Sequence, residues 1–218
     1  MQMVEFNSDS TTVIICCAGM GTRLGIGTTK ALVDIDGIPL IIRQLELLKH
    51  FDDIRIVAGF QAERLIETVK TYRKDMMFAF NYQYETTGVA DSLRKGLLGA
   101  RENILSIDGD ILINPADFNR FITTPGESLA ITQIQSAEPV MATVEDCRVI
   151  HLSKNVGNMQ WPGIVKISKN KLSGKSSHVY DVLNEVLPMK CQIVRAREID
   201  TQEDYERAIE WFEGGQID

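Results

Sequence analysis

The sequence predicts an α/β fold, a doubly wound, Rossmann-like sheet that is mixed but mostly parallel. Two observations lead to this fold class. Short apolar runs of strand length alternate with helical patterns through the first half of the chain, and such alternation implies parallel strands joined by right-handed crossovers. A glycine-rich turn directly follows the first apolar run. In open α/β sheets, ligands bind at the carboxyl ends of the strands, so this turn marks a candidate site.

The first half of the chain supplies four predicted strands and three predicted helices. The strands are apolar runs bounded by turn residues, namely 13–18 (VIICCA), 54–58, 77–80 and 103–107. The helices show apolar residues at helical spacing, over 39–48, 61–74 and 90–100. In the first helix, Ile41, Leu45 and Leu48 form the apolar stripe and Pro39 stands at the start, where proline is tolerated.

The pattern changes from about residue 129. Apolar runs at 129–134, 149–152 and 164–167 are separated by turn-rich segments, then 179–187 reads as helical, 192–194 as extended and 202–212 as helical. No repeat or flexible linker divides the chain. We therefore expect one domain over 1–218, in which the half over about 129–218 extends the sheet of the half over about 13–128.

Composition excludes several functional classes. Of the 218 residues 44% are hydrophobic, and 23 Lys and Arg against 30 Asp and Glu give a net charge of −7. This balance predicts a folded protein without a nucleic-acid-binding surface. The longest uncharged run, Ser10–Thr22, is too short for a membrane span and lacks signal-peptide flanks. The cysteines, Cys16, Cys17, Cys147 and Cys191, form no C-x-x-C motif, which supports neither a zinc site nor a disulfide framework, and a cytoplasmic location is expected.

The glycine-rich turn has the composition of a polyphosphate cradle. It reads AGMGTRLG over residues 18–25, and Lys30 follows. Glycines let backbone N–H groups approach an anion, while Arg23 and Lys30 add positive charge. No Gly-Lys-Ser/Thr triplet of a Walker A loop is present. A dinucleotide fingerprint fits poorly, because Leu24 stands at its third glycine position and Ala58-Gly59-Phe60, without an acid, ends the second strand.

Residues 13–42 resemble the signature of nucleotidyltransferases that join an NTP to a phosphorylated sugar or alcohol. That signature reads roughly A-G-x-G-T/S-R-L, P-K-x-L and G-x-P-L-I, and the chain supplies AGMGTRL at 18–24, KAL at 30–32 and GIPLI at 37–41. Thr29 replaces the proline before the lysine. The alternative, glycines that serve packing alone, leaves the accompanying charges unexplained. The resemblance implies the nucleotide-diphospho-sugar transferase fold, with catalytic roles for Arg23 and Lys30. The implied phosphate-binding residues are Ala18, Gly19, Met20, Gly21, Thr22, Arg23 and Lys30.

Two carboxylates follow the fourth predicted strand, in Asp108-Gly109-Asp110. A carboxylate at a buried strand end faces the site crevice, where Mg²⁺ would offset the cost of its charge. A plain Asp-Gly turn is the alternative. The resemblance implies that Asp110 binds the metal, and that Asp108, a second acid seen in some members, belongs to the nucleotide-binding set.

A second acidic segment, EIDTQEDY over 198–205, opens the last predicted helix. Taken alone, Thr201 as N-cap with acids in the first turn explains Glu203 and Asp204. The resemblance implies more for Asp200, which matches the second metal ligand of the family. Two carboxylates from distant parts of the chain that hold one Mg²⁺ are typical of phosphoryl-transfer sites.

The segment over 81–93 follows the third predicted strand and is similar to the family's base-contacting segment. The resemblance implies that Asn81, Thr87 and Gly88 bind the nucleotide, although a turn-capping Asn81 is the alternative. The Asn-x-x-Tyr start and the later Ser-Leu are closest to choline-phosphate cytidylyltransferases, so CTP is the favoured donor. The resemblance also places Lys154 and Gly163 at the acceptor, with a lone surface lysine as the alternative for Lys154.

These patterns together predict a Mg²⁺-dependent enzyme that joins an NTP to a small phosphorylated alcohol, phosphonate or sugar and releases pyrophosphate. Residues 13–128 form the expected nucleotide-binding half and 129–218 the acceptor-binding half, and the resemblance is compatible with a homodimer. Three alternatives stay open. They are a sugar-1-phosphate uridylyl- or thymidylyltransferase, a molybdenum-cofactor-type nucleotidyltransferase that reads a purine, and a non-catalytic nucleotide sensor, which Asp110 and Asp200 disfavour.

Overall fold

A computed structural model describes residues 6–25 and 27–215, so residues 1–5, 26 and 216–218 of the expected domain lie outside the described residues. The strands are β1 (Thr11–Cys17), β2 (Asp34–Ile35), β3 (Ile38–Pro39), β4 (Ile54–Ala58), β5 (Met77–Phe80), β6 (Asn103–Asp108), β7 (Ile111–Ile113), β8 (Ser128–Ile131), β9 (Val140–Glu145), β10 (Arg148–Ser153), β11 (Met159–Trp161), β12 (Ile164–Ser168), β13 (Met189–Ile193) and β14 (Ala196–Glu198). The α-helices are α1 (Leu40–Leu47), α2 (Ala62–Tyr72), α3 (Val89–Gly96), α4 (Pro115–Thr123), α5 (Val179–Asn184) and α6 (Gln202–Glu213). None of these helices is long and apolar enough to cross a membrane.

Ten strands form one mixed sheet in the order β11-β9-β10-β13-β8-β12-β6-β1-β4-β5. Its core, β6-β1-β4-β5, is parallel. The apolar residues of β1 and β4 are buried on both faces, as expected for central parallel strands. The second half of the chain joins through β12, which pairs antiparallel with both β6 and β8. The predicted mixed sheet with a mostly parallel core is therefore confirmed.

Helices cover both faces of the sheet, which is why successive strand residues serve different cores. Val13 and Ile15 of β1 pack in the cluster that includes apolar residues of α1, α2 and α4. Ile14, between them, packs in the cluster that includes apolar residues of α3 and α5. Side chains alternate across a strand, so a continuous apolar run fills both layers at once. This arrangement is the predicted doubly wound architecture.

Several elements were not predicted from the sequence, among them α4, β7 and β14. The pairing of β7 with β14 positions the site. Helix α4 begins after Asn114, whose side chain accepts a 2.9 Å hydrogen bond from the backbone N–H of Asp117. The short strands β7 and β14 pair antiparallel in a separate two-stranded sheet. Beyond that pairing, the N–H of Ile199 donates to the carbonyl of Asp110 at 2.9 Å. The two acidic segments, far apart in sequence, therefore become neighbours.

Candidate active site

The candidate site is a cleft at the carboxyl ends of β1 and β6. Its volume is about 230 Å³. The loop after β1 forms one wall and the turn after β6 forms the other, as expected for ligand sites of open α/β sheets. The predicted site residues that line the cleft are Gly19, Gly21, Thr22, Arg23, Lys30, Asp108 and Asp110.

The glycine loop takes a conformation that its residue types favour. Gly21 has a φ of +61°, and a Cβ atom there would lie 3.0 Å from Cγ of Lys30 and 3.3 Å from the carbonyl oxygen of Thr28. Only glycine adopts this backbone without strain while allowing Lys30 to pass so closely. Ala18 lies below the loop, where it is buried and its carbonyl accepts from the N–H of Phe60 at 3.0 Å. Ala18 therefore supports the cradle rather than lining it.

The departure from the family pattern at Thr29 leaves the backbone unchanged. Thr29 has a φ of −63° and a ψ of 141°. This φ is the value to which proline is locked, so proline would fit the same position. The Thr29 hydroxyl also donates to the carbonyl of Cys17 at 3.3 Å, which ties the lysine segment to the end of β1.

Lys30 joins the two acidic segments. Its Nζ donates to Oδ2 of Asp110 at 2.8 Å and also to Oδ1 of Asp200. Burial alone would lower the pKa of Lys30, but the carboxylates of Asp110 and Asp200 together raise it above its usual value. Arg23 adds a second positive charge, because its Nη2 lies 3.0 Å from Oδ2 of Asp200. The two carboxylates therefore favour the charged form of Lys30.

Glu198 is a third acid of this cluster that the sequence analysis did not assign. Carboxylate oxygens of Asp110, Glu198 and Asp200 lie within 4.8 Å of one another. Burial, followed by the charges of Asp110 and Asp200, raises the pKa of Glu198 to about 8. A signal was available in the sequence, since Glu198 and Asp200 are two residues apart in an extended segment and so share a side.

The side chain of Glu198 is held from behind by two polar groups of the second half. Its Oε2 accepts hydrogen bonds from Oγ of Ser136 at 3.0 Å and from Nε2 of Gln160 at 2.9 Å. These contacts orient Glu198 beside the other two carboxylates. No short motif could have revealed them, because they depend on the β9–β11 region folding over β14.

Asp108 ends β6 and differs from the other acids in the surroundings of its carboxylate. Within residues 6–25 and 27–215, no group donates a hydrogen bond to its carboxylate. Burial raises its pKa well above the usual value, and the neighbouring Asp110 and Glu198 add to this effect, whereas Lys30 opposes it. Gly163 lies directly against this side chain. It has a φ of +78°, and a Cβ atom at Gly163 would overlap Oδ2 of Asp108. The predicted acceptor residue Gly163 therefore lies against Asp108.

The donor set of the cluster fits a divalent cation such as Mg²⁺. Among the residues that the structure describes, four acids, Asp108, Asp110, Glu198 and Asp200, face two positive groups, Lys30 and Arg23. Carboxylate oxygens are hard ligands of the kind that Mg²⁺ takes together with phosphate oxygens and water. Asp110, Glu198 and Asp200 are the residues placed to hold such an ion.

Gln44 is a further residue that sequence reasoning missed. It is buried on α1, and its Nε2 donates to the carbonyls of Asp108 at 3.0 Å and of Ile111 at 2.9 Å. These bonds fix the turn that presents Asp108 and Asp110. The available signal was a polar residue on an apolar helical stripe, since Gln44 falls between Ile41 and Leu48 at helical spacing.

The contacts of Asn81 favour its turn-capping interpretation over direct contact with a base. The residue is 2% exposed, and its Nδ2 donates to Oγ1 of Thr87 at 2.9 Å and to Oγ of Ser92 at 3.0 Å. Its Oδ1 accepts from the N–H of Gln83 at 3.1 Å. Both amide donors are thus used within the segment. Gly88, which begins α3, packs so closely on Ser177 that a Cβ atom would overlap the Ser177 carbonyl.

Lys154 lies at the rim of the site, connected to it through Glu138. Its Nζ donates to the carbonyl of Glu138 at 3.0 Å, and Oε2 of Glu138 lies 2.5 Å from Nη1 of Arg23. Arg23 and Glu138 are each about half or more exposed. The rim is therefore an open, charged entrance formed by the loop after β1 and the segment before β9.

Residues 13–157 match the MobA-like NTP transferase domain family, and the chain belongs to this family. Among curated proteins, the bifunctional protein GlmU of Aliarcobacter butzleri is 27% identical over 129 residues, which are 58% of this chain and 30% of that protein. The chain thus spans about a third of the length of the curated relatives it matches.

Solved structures with the same fold cover almost the whole chain. The CTP:phosphocholine cytidylyltransferase LicC of Streptococcus pneumoniae has a TM-score of 0.75 and 21% identity, covering 93% of this chain and 99% of that one. The inositol-1-phosphate CTP transferase of T. maritima also has a TM-score of 0.75, with 18% identity, and covers 94% and 97% of the two chains. At these identities, the likeness establishes the fold.

Proposed function

We propose that this protein is a Mg²⁺-dependent nucleotidyltransferase that joins an NTP to a small phosphorylated alcohol, phosphonate or sugar and releases pyrophosphate. One observation carries the proposal. The glycine loop and Lys30 converge on the cluster of Asp110, Glu198 and Asp200 in a single cleft. A phosphate cradle beside a set of hard oxygen ligands is the arrangement that transfer between phosphates requires, because the chemistry depends on positioning and on charge neutralisation.

Different residues of the cleft interact with the two anionic substrates, the NTP donor and the phosphorylated acceptor. The loop amides and Arg23 hold the β- and γ-phosphates of the donor, and Lys30 neutralises charge at the α-phosphate. An oxygen of the acceptor phosphate attacks the α-phosphorus in line, the bond to the β-phosphate oxygen breaks, and pyrophosphate leaves with that electron pair. Asp110, Asp200 and Glu198 would hold Mg²⁺, which would supply positive charge that offsets the negative charge of the phosphates.

We infer that CTP is the preferred donor. The segment of Asn81, Tyr84 and Ser92-Leu93 resembles that of choline-phosphate cytidylyltransferases, and two of the similar solved structures are named as CTP-using enzymes. Asn81 would act here by holding Thr87 and Gly88 in place. Lys154 is our candidate for binding the acceptor phosphate. Its Nζ donates to the carbonyl of Glu138, and the carboxylate of Glu138 pairs with Arg23 of the cleft.

The matched family supports a second candidate, a nucleotidyltransferase that takes a purine. The family match is to MobA-like domains, and the molybdenum-cofactor-type alternative shares the loop of this chain. The two candidates differ at the base pocket and share the phosphate and metal residues. Donor selectivity therefore decides between them, whereas the activity itself does not.

Pyrophosphate release by the full chain tests this function. CTP, UTP, dTTP, ATP and GTP are each offered with phosphocholine, an aminoalkyl phosphonate, glycerol phosphate and a hexose 1-phosphate, in Mg²⁺. We expect release only when donor and acceptor are both present, with CTP fastest. Release that is fastest with GTP supports the purine candidate. A folded protein that releases no pyrophosphate with any pair, and binds no NTP, contradicts the proposal.

A matched pair of variants shows whether any release comes from this cleft. Asp200→Asn removes a carboxylate of the cluster, while Glu203→Gln removes an exposed carboxylate three residues later that pairs with Arg207. We expect release to fall sharply in the first variant and to stay unchanged in the second. Equal release by both variants would place the activity outside the cluster.

A further inference from the structure

Two cysteines far from the cleft lie opposite each other across β10 and β13. The antiparallel register pairs Val149 with Met189 and Arg148 with Lys190, so the next pair outward is Cys147 with Cys191. The backbone confirms this extension, because the N–H of Cys191 donates to the carbonyl of Cys147 at 3.1 Å. This hydrogen bond holds the backbones of the two residues side by side, and a disulfide joins residues whose Cα atoms are usually about 4.4–6.8 Å apart.

Cys147 occupies a position that normally requires glycine. Asp146 and Cys147 are the two central residues of the turn between β9 and β10, with φ values of 46° and 58°. Turns of this type favour Asn-Gly or Asp-Gly, because both residues take the left-handed conformation. A cysteine here adopts a costly backbone, and its side chain is exposed to solvent. Packing within the described residues therefore does not explain its presence.

Cys191 is half-buried, and the two thiols share one environment. Both cysteines line a surface cavity of about 320 Å³ together with Glu127, Ser128 and Lys190. Burial raises the pKa of Cys191, and the neighbouring thiol of Cys147 adds to this shift. The exposed Cys147 is therefore the thiol that an oxidant reaches first, and Cys191 is the thiol held beside it.

We propose that Cys147 and Cys191 form a reversible disulfide when the protein meets a peroxide. The Cys147 thiolate attacks one peroxide oxygen, the O–O bond breaks, and one water leaves after protonation, with a sulfenic acid on Cys147. The sulfur of Cys191 then attacks the Cys147 sulfur, the S–O bond breaks and a second water leaves. Overall, two thiols give two electrons and two protons to hydrogen peroxide, which yields one disulfide and two waters. A dithiol reductant reverses the reaction by exchange.

The bond would tie together two segments that lead to the candidate site. The β9–β10 hairpin runs between Glu138 and Lys154, and β13 continues into β14, which ends at Glu198. Before oxidation, β10 and β13 are joined by only two register pairs and the bond beyond them. The cross-link therefore reinforces a short contact. Formation of this disulfide does not depend on enzymatic activity, and it is detected chemically.

The full-length protein is treated with a small excess of hydrogen peroxide, its remaining thiols are alkylated, and its peptides are mapped by mass spectrometry. The reduced protein has free thiols at Cys16, Cys17, Cys147 and Cys191. We expect a peptide pair linked through Cys147 and Cys191, lighter than the reduced pair by two hydrogens, and restored by dithiothreitol. We also expect slower amide exchange in β10 and β13 of the oxidised protein.

Single variants separate this pair from other thiol chemistry. Cys191→Ser should leave Cys147 as a sulfenic acid that a dimedone probe traps, whereas Cys147→Ser should leave Cys191 reduced. Cys16→Ser is the control and should form the linked pair as the unmodified protein does. A linkage only between different molecules, a linkage to Cys16 or Cys17, or two alkylatable thiols at 147 and 191 after peroxide would each overturn the proposal.

Discussion

The amino and carboxyl ends of the parallel core differ in how their charged side chains are matched by partners. At the amino end, Arg55 is 5% exposed, and its five N–H groups donate to both oxygens of Asp53 and to three backbone carbonyls. Those carbonyls belong to Gly96, Leu98 and Gly99. At the carboxyl end, four acids share two cations, and Asp108 has no donor among the described groups. At the amino end the charges are matched by partners within the protein, whereas the carboxyl end carries an excess of negative charge.

This difference separates stability from function. Removing one partner of a buried ion pair whose donors are all used destabilises the native state, because the other charge is left buried and unmatched. Removing an acid from a cluster with excess negative charge does the reverse, since its like charges repel in the absence of a cation. We therefore expect substitutions at the amino end to change the free energy of unfolding and substitutions at the carboxyl end to change activity.

The largest effect is expected from Arg55→Met. It leaves the carboxylate of Asp53 partly buried without its main partner, so the free energy of unfolding should fall by about 3–5 kcal/mol. Urea denaturation followed by circular dichroism measures this loss. Arg101→Met, which removes a more exposed guanidinium paired with Asp52, is the matched control and should lose less. Activity per folded molecule should not change in either variant. A stability loss no greater than that of Arg101→Met would show that the bonds of Arg55 are not the main stabilising contacts of the amino end.

Asp110→Asn should have the opposite effect, a loss of activity without a loss of stability. The variant keeps the shape of the side chain but removes one charge of the cluster, so the rate of pyrophosphate release should fall by about 10²–10³. Its free energy of unfolding should stay the same or rise, because repulsion with Asp108 and Glu198 is relieved. Steady-state kinetics and urea denaturation are both needed. A variant that is strongly destabilised but fully active would reverse the comparison.

Gly163→Ala should perturb the carboxyl end without removing a charge. The new methyl group overlaps Oδ2 of Asp108, and the φ of +78° strains any residue with a Cβ atom. We expect a loss of about 1–3 kcal/mol in the free energy of unfolding together with weaker NTP binding. The double variant Asp108→Ala/Gly163→Ala removes the overlap with Oδ2 and Cγ, although Cβ of residue 108 stays 2.9 Å away, and it should recover part of the stability. Strictly additive effects of the two substitutions would show that the two side chains do not interact.

Lys166 adds a further case to the comparison of buried charges. It is buried, and it has no carboxylate partner among the described residues. Its Nζ donates to the carbonyls of Phe121, at 2.6 Å, and of Thr124, and burial lowers its pKa to about 8. Between about pH 8 and pH 10.5 the unfolded chain binds more protons at this site than the native protein. Stability should therefore rise with pH across this window, by at most about 1.4 kcal/mol per pH unit. Lys166→Met should flatten the rise, measured as unfolding free energy against pH, and an identical slope in both proteins would contradict the pKa shift.

The sequence predicted best where local pattern decides structure. The apolar runs at 54–58 and 77–80 match β4 and β5 residue for residue, and the last helix begins at Gln202, directly after the predicted cap Thr201. Burial on both faces gives β4 its mainly apolar sequence, the edge strand β5 is a short apolar run, and a cap satisfies backbone donors locally. Both signals are therefore contained in the segment itself.

What the sequence did not reveal depends on distant contacts. Strand β14 is three residues long and exists through pairing with β7, and that pairing brings Glu198 to Asp110. The holding of Glu198 by Ser136 and Gln160 also spans separate elements. Asn81 shows the opposite limit. The sequence places Asn81 after the third strand, and its bonds to Thr87 and Ser92 favour a turn residue over a base contact.

Our proposal is that the carboxyl end of the parallel core binds a divalent cation and a nucleotide together. Calorimetric titration of the protein with CTP, with and without Mg²⁺, tests it most directly, and Asp110→Asn and Arg55→Met serve as comparison variants. We expect Mg²⁺ to tighten CTP binding by about tenfold or more, equivalent to about 1.4 kcal/mol, in the unmodified protein and in Arg55→Met, and to have little effect in Asp110→Asn. CTP affinity that is independent of Mg²⁺ in the unmodified protein, or equally dependent on it in Asp110→Asn, would contradict the account.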